Sequence, residues 1–341
     1  FFQMNTRKGI IAGGNWIVDA VKMIDTWPQQ DALTSIRSQS RGTGGSPFNV
    51  LVDLAMMGAT FPLNAVGLVG NDGHGRFILN HCLGLGINTQ SLQITDEAPT
   101  SYTDVMTVIG TGRRTFFHAR GANALLDSPH FDFRDSAARQ FHLGYLLLLD
   151  TLDGVHPEFG TVAAEVLSRA QAAGLKTSID VVSEDSDRFK KVVVPALKHT
   201  DYCIMNEFEV GRVTGVEARQ GEVLDQARLR EGMERLMEHG VRERVIIHFP
   251  EGAMALGRDG SFAKHGSVVL PAGYIKGAAG AGDAFTAGVL FGWHEGKSVE
   301  EQLRLGVCAA AANLSEETCT GGMKSVGDCL ALGTAHGFRA I

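Results

Sequence analysis

At 341 residues and 44% hydrophobic content, the chain can form one large α/β domain or two ordinary ones around a real core. A formal net charge of -7 and a pI near 5.9 argue against nucleic acid or an anionic membrane as partner, because both demand clustered Lys and Arg. Cys82, Cys203, Cys308, Cys319 and Cys329 are an odd set with no C-x-x-C pair, which suggests neither a disulfide framework nor a zinc site. A reducing cytoplasm is the expected compartment. No apolar run reaches membrane-spanning length, and no basic segment precedes an apolar core near the start, so Met4 is read as the native start.

Ile17 to Ile24 alternate apolar and polar side chains, as a half-exposed strand does. Asp19 is disfavoured there by propensity; a functional purpose and plain solvent exposure both explain it. Arg41 to Asn49 reads R-G-T-G-G-S-P-F-N and precedes a helical pattern over Val50 to Gly58. Gly44 and Gly45 let a ligand approach the backbone, and Asn49 at a helix start either caps it or bonds a substrate hydroxyl. Val66 to Gly75 reads as a strand and a glycine-rich turn, structural by default. Ser101 to Val108 alternates again, and Arg114 to His118 resumes a strand after Gly110-Thr111-Gly112. These segments interrupt the rest twice, so a small antiparallel sheet is expected as a lid built from about residues 17–46 and 99–123 of a single domain.

Further on, strands are expected over Lys176 to Val182, Tyr202 to Met205 and Arg244 to Phe249. Helices are expected over Glu158 to Ala173 and Asp225 to His239, stopped by Gly174 and Gly240, then over Asp283 to His294 and Val299 to Leu314. This alternation implies an α/β fold with a central, mostly parallel sheet flanked by helices.

Asn206 and Glu209 fall three apart at a helix start, which suits either a capping box or orientation of hydrated magnesium. Gly280-Ala281-Gly282-Asp283-Ala284-Phe285 sets a carboxylate behind a glycine turn at another helix start. Unpaired NH groups there can hold phosphate, and a carboxylate beside phosphate makes sense as a base; a helix cap competes. The twelve histidines lack metal-site spacing, and no G-x-S-x-G or P-loop pattern occurs.

Taken in order, Asp19, Gly44-Gly45 with Asn49, Val66 to Gly75, Asn206 with Glu209, and Gly280 to Asp283 resemble the ribokinase-like (PfkB) carbohydrate kinase family over nearly the whole chain. The resemblance implies a ribokinase-like fold with a β lid, and ATP and a small sugar as ligands. It implies Asp283 as general base, with the NH groups of Ala281, Gly282 and Asp283 after Gly280 as an anion hole. It further implies Asp19, Gly44, Gly45 and Asn49 as acceptor ligands, and Asn206 and Glu209 as organisers of Mg2+ through water. Gly252 and Asn313 would face the nucleotide. Arg120, after His118 at the end of a lid strand, would favour a carboxylated sugar unless it merely faces solvent.

Two departures stand out. Gly277-Ala278-Ala279 replaces the family's Asp-Thr-Thr, which argues against monovalent-cation activation. Pro250-Glu251-Gly252-Ala253 replaces a more glycine-rich loop, and proline removes an NH donor. A nucleoside kinase of the same fold and a noncatalytic sugar-binding protein on a kinase scaffold are the alternatives. A homodimer through the lid edges is expected, since exposed sheets need their edges covered.

Overall fold

The structure, a computed structural model, describes residues 7–341, so Met4 lies outside the described residues. In chain order come β1 (Ile10–Gly14), β2 (Ile17–Ile24), β3 (Ile36–Gly44), α1 (Ser46–Met56), β4 (Leu63–Gly70), α2 (Gly73–Gly84), β5 (Asn88–Thr95), β6 (Ser101–Val108) and β7 (Arg114–Ala119). Next are β8 (Gln140–Leu146), β9 (Val155–His156), β10 (Gly160–Thr161), α3 (Val162–Ala172), β11 (Lys176–Val181), α4 (Phe189–Leu197), β12 (Tyr202–Asn206) and α5 (Glu207–Thr214). The last third holds β13 (Arg219–Gln220), β14 (Val223–Leu224), α6 (Gln226–Glu238), β15 (Arg244–Phe249), β16 (Gly252–Gly257), β17 (Phe262–Gly266), α7 (Ala281–His294), α8 (Val299–Asn313) and α9 (Val326–His336).

Apolar inner strands, with the more polar β5 and β17 at the edges, pair into one nine-stranded sheet ordered β17-β16-β15-β12-β11-β8-β1-β4-β5. It is parallel from β15 to β5, and only the β15-β16-β17 edge is antiparallel. Alternation along each strand feeds two cores. Ile11 packs with Val166, Val193, Val210 and Leu229 from α3 to α6, whereas Ile10 and Ala12 pack with Leu51, Phe285 and Leu303 from α1, α7 and α8. Each such Val, Leu, Ile or Phe side chain, fully buried, contributes roughly 1.5–3 kcal/mol.

The lid is a second sheet, ordered β3-β2-β6-β7. Its outer pairs are antiparallel as expected, but β2 and β6 run parallel, from Ile17 opposite Ser101 to Ile24 opposite Val108. The reason is topological: β1 and β5 share a direction in the large sheet, and each is followed by a strand leaving at the same end. The expected all-antiparallel lid is thus a mixed sheet.

Helix starts moved too. Pro47 occupies the first turn of α1, where its missing NH is harmless, so α1 begins at Ser46 rather than Val50. Residues 158–161 fold into the β9-β10 hairpin, and Thr161 caps α3 by accepting from Ala164 N at 3.2 Å. Among the described residues no helix is long and apolar enough to cross a membrane. All five cysteines are buried and free.

Candidate active site at the carboxyl ends of the strands

Tyr145, Asp180, Asn206 and His248 stand near the carboxyl ends of β8, β11, β12 and β15, the edge where open parallel sheets bind ligands. With Ser183, Glu209, Gly280, Gly282 and Asp283 they line a cavity of about 200 Å³. The turn into α7 closes one side of it.

Gly280 is the N-cap of α7 at φ 75°, and a Cβ there would lie 2.2 Å from the Cys319 carbonyl oxygen, so only glycine fits. The turn lets α7 begin at Ala281, two residues before the expected start. Asp283 therefore sits in the first helical turn and not at the cap. Asn313, fully buried on α8, donates from Nδ2 to Ala279 O at 2.8 Å and braces the segment before the turn.

Asp283 is 4% exposed. Asn49 Nδ2 donates to its Oδ2 at 2.7 Å, and the Tyr145 hydroxyl reaches Oδ1 at 2.8 Å and Oδ2 at 2.6 Å. Burial raises its carboxyl to about 6, against the lowering effect of bonds from Tyr145, Asn49 and Ser46. Because α1 starts early, Asn49 lies inside the helix, free of any cap and aimed at Asp283.

Glu209, buried at the start of α5, accepts from Ser183 Oγ at 2.6 Å, Asn206 N at 2.9 Å and Asn206 Nδ2 at 2.8 Å. The capping box is real: Asn206 Oδ1 in turn accepts from Glu209 N at 2.9 Å. Burial raises Glu209 to about 7. Burial also pushes Asp180 well up, with the Asp283 and Glu209 charges adding to it. Three buried carboxyls, Asp180, Glu209 and Asp283, surround the cavity, and hard oxygen is the donor that magnesium takes. Among the described residues no three His, Cys, Asp or Glu side chains close on one point, so an ion there would be held through its waters.

On the lid side, Asp19 accepts from Cys319 Sγ at 3.4 Å, and burial raises its carboxyl to about 6. A Cβ on Gly44 would lie 2.5 Å from Asp19 Oδ1, and one on Gly45 would lie 2.2 Å from Asn15 O. The glycine pair thus lets β2 and the start of α1 close on each other.

The structure brings Asn49, Asn206, Glu209, Gly280, Gly282 and Asp283 around one centre, with Asp19, Gly44 and Gly45 at the lid. Other expected residues lie elsewhere. Arg120 pairs with Asp150 at 3.0 Å. Gly252 opens β16 in the tight β15-β16 hairpin, packed on Gly266 and Ile341. The neighbouring Glu251 is held by Arg219, which also binds Glu207 of α5.

A family model described as pfkB family carbohydrate kinase matches residues 15–325. The chain belongs to the pfkB carbohydrate kinase family. The pfkB chain is 26% identical over 304 residues to a ribokinase of Arabidopsis thaliana, covering 89% of this chain and 75% of that one. It is 23% identical over 341 residues to a 5-dehydro-2-deoxygluconokinase of Bacillus anthracis, covering 94% and 93%. The solved Arabidopsis thaliana ribokinase complexed with ribose and ATP superposes with a TM-score of 0.76 at 21% identity, covering 96% and 98%. This pfkB protein is a sugar kinase, a phosphotransferase with an alcohol acceptor, of ribokinase-like fold.

Sequence motifs missed Tyr145, Asp180, His142 and His248. His142 bridges Ser46 Oγ at 3.0 Å and Ser178 Oγ at 2.9 Å, and burial lowers its imidazole to about 3, so it is neutral. Asp180 had a signal, a carboxylate at the end of an apolar strand run. The others had none, because ordinary strand positions hide which end faces the site.

Proposed function

We propose that the protein transfers the γ-phosphoryl group of ATP to a hydroxyl of a small carbohydrate, with Asp283 as general base. One observation carries this reading: Asp283 lies in the first turn of α7, where the NH groups of Gly282 and Asp283 have no intrahelical acceptor. The acceptor oxygen attacks the γ-phosphorus, its proton passes to Asp283, and the bond to the bridging oxygen breaks to leave ADP. The NH groups of Gly282 and Asp283 would face the charge on the transferred group, joined by that of Ala281 once it leaves its long 3.4 Å bond to Ala278 O. Tyr145 and Asn49 hold the Asp283 carboxylate in place by bonds to its two oxygens.

Asp19, Gly44, Gly45 and Asn49 hold and shape the acceptor side under the lid. Asn206 and Glu209 orient the waters of a magnesium ion, whose charge would offset that of the phosphates. The lid excludes water that would otherwise hydrolyse ATP. Free, buried cysteines suit a cytoplasmic enzyme.

The test is an ADP-release screen over ketoses, aldoses, sugar acids and nucleosides with wild type and Asp283→Asn. Turnover with a sugar, reduced about 10²- to 10⁴-fold in the variant, is the expected result. Near-wild-type turnover in Asp283→Asn removes the base. Nucleoside-only turnover selects the nucleoside kinase, and sugar binding without Mg-ATP binding selects the noncatalytic reading.

A further inference from the structure

Arg114 lies on the same lid face as Asp19: Arg114 is opposite Thr107 and Asp19 is opposite Thr103, and these two β6 residues share a face because an even number of residues separates them. Its guanidinium hangs over the segment that leads into the catalytic turn, so a Cβ on Gly277 would come within 2.5 Å of Nη2. The glycine that replaces the family's aspartate makes room for this arginine. Arg114 lines a cavity of about 480 Å³ with Phe116, Lys276 and residues 277–279, and also the narrow gap that holds Asp19.

Among the described residues, Arg114 is the half-buried arginine with no ion pair and no hydrogen bond. Glu317 lines the same gap but forms no ion pair with it. A half-buried guanidinium facing a cavity without a counter-ion is an electrostatic vacancy that an anionic ligand fills. One fixed cation balances one negative charge. Lys276 is exposed at the rim and Glu317 opposes added negative charge, so the balance favours a planar monoanion over a dianionic phosphate ester.

We propose that the acceptor is a sugar acid whose carboxylate is received by Arg114, while Asp19 holds its hydroxyls. This rests on the sugar-kinase reading above. Arg120, engaged with Asp150, leaves that role open.

Calorimetry on the full chain tests it with matched pairs: D-ribonate against D-ribose, D-gluconate against D-glucose, and D-ribose 5-phosphate as the ester. Wild type is expected to bind an acid at least tenfold more tightly than its neutral partner. Arg114→Gln should reduce that acid-to-neutral ratio at least tenfold, and Arg114→Lys should restore part of it. A wild-type protein that prefers no acid overturns the proposal, as does preference for the ester or an unchanged ratio in Arg114→Gln. Failure of the kinase reading is visible separately, as Arg114-dependent acid binding with no ADP formed.

Discussion

The Tyr145 hydroxyl straddles the Asp283 carboxylate, 2.8 Å from Oδ1 and 2.6 Å from Oδ2. Tyr145 reaches it from the end of β8, whereas Asp283 stands on α7, so the bond ties the helix to the edge of the central sheet at the site. The bond favours the charged carboxylate and works against the burial that raises it to about 6. A base must be ionised, so kcat/KM should fall about tenfold per pH unit below roughly pH 6. Tyr145→Phe removes a bond to a charged group, ordinarily about 1.5–3 kcal/mol, and should move that acid limb up by about one to two pH units. A pH-rate profile of both proteins checks this; an unmoved limb means that Tyr145 does not tune the base.

Asp53 lies one turn beyond Asn49 on α1, fully buried, with neither carboxyl oxygen bonded. Burial raises it well above the carboxylate range, and the Asp283 charge raises it further. Its folded-state value exceeds its unfolded one, so the native chain keeps a proton that the unfolded chain loses. Stability attached to Asp53 is then present below about pH 4 and is lost as pH rises toward the folded value, by about 1.4 kcal/mol per pH unit. Asp53→Asn should therefore raise the urea midpoint more at pH 8 than at pH 5. Equal shifts at both values would count against a buried, protonated Asp53.

Glu209 closes the capping box of α5, and substitution can separate that task from the proposed one of orienting magnesium waters. Asn206→Ala removes the cap and should cost about 1 kcal/mol of stability, read from urea unfolding. Glu209→Gln removes the charge and keeps one acceptor oxygen, so it loses the bond from Asn206 N or that from Asn206 Nδ2, which use different Glu209 oxygens. It should cost about 1 kcal/mol of stability, as Asn206→Ala does, but alone raise the magnesium concentration for half-maximal rate several-fold. An unchanged magnesium response would remove Glu209 from the ion's water shell.

On the outer lid face, Trp27 stacks on Phe117 with ring centroids 6.0 Å apart, and the two are 49% and 51% exposed. Leu33 and Ile36 are exposed on the adjoining loop and edge strand. We propose that a second copy covers this patch and the lid edges. Sedimentation at micromolar concentration should give a dimer, and Trp27→Glu should give a monomer. A wild-type monomer rejects the interface.

Local pattern alone determined the strand and helix alternation, the two lid segments and the motifs around Asp19, Asn49, Asn206 and Asp283, because side-chain periodicity and glycine turns are properties of neighbours in the chain. It located β11 and β15 closely, yet missed the parallel β2-β6 pairing, which depends on where β1 and β5 leave the large sheet. It also left Asn49 between cap and ligand, and only the early start at Ser46 placed that side chain against Asp283, 234 residues away. Tyr145 over the carboxylate, Asp180 beside it and Arg114 above Gly277 were decided by tertiary structure. Distance, burial and charge balance arise only when segments far apart in the chain share one edge of the sheet.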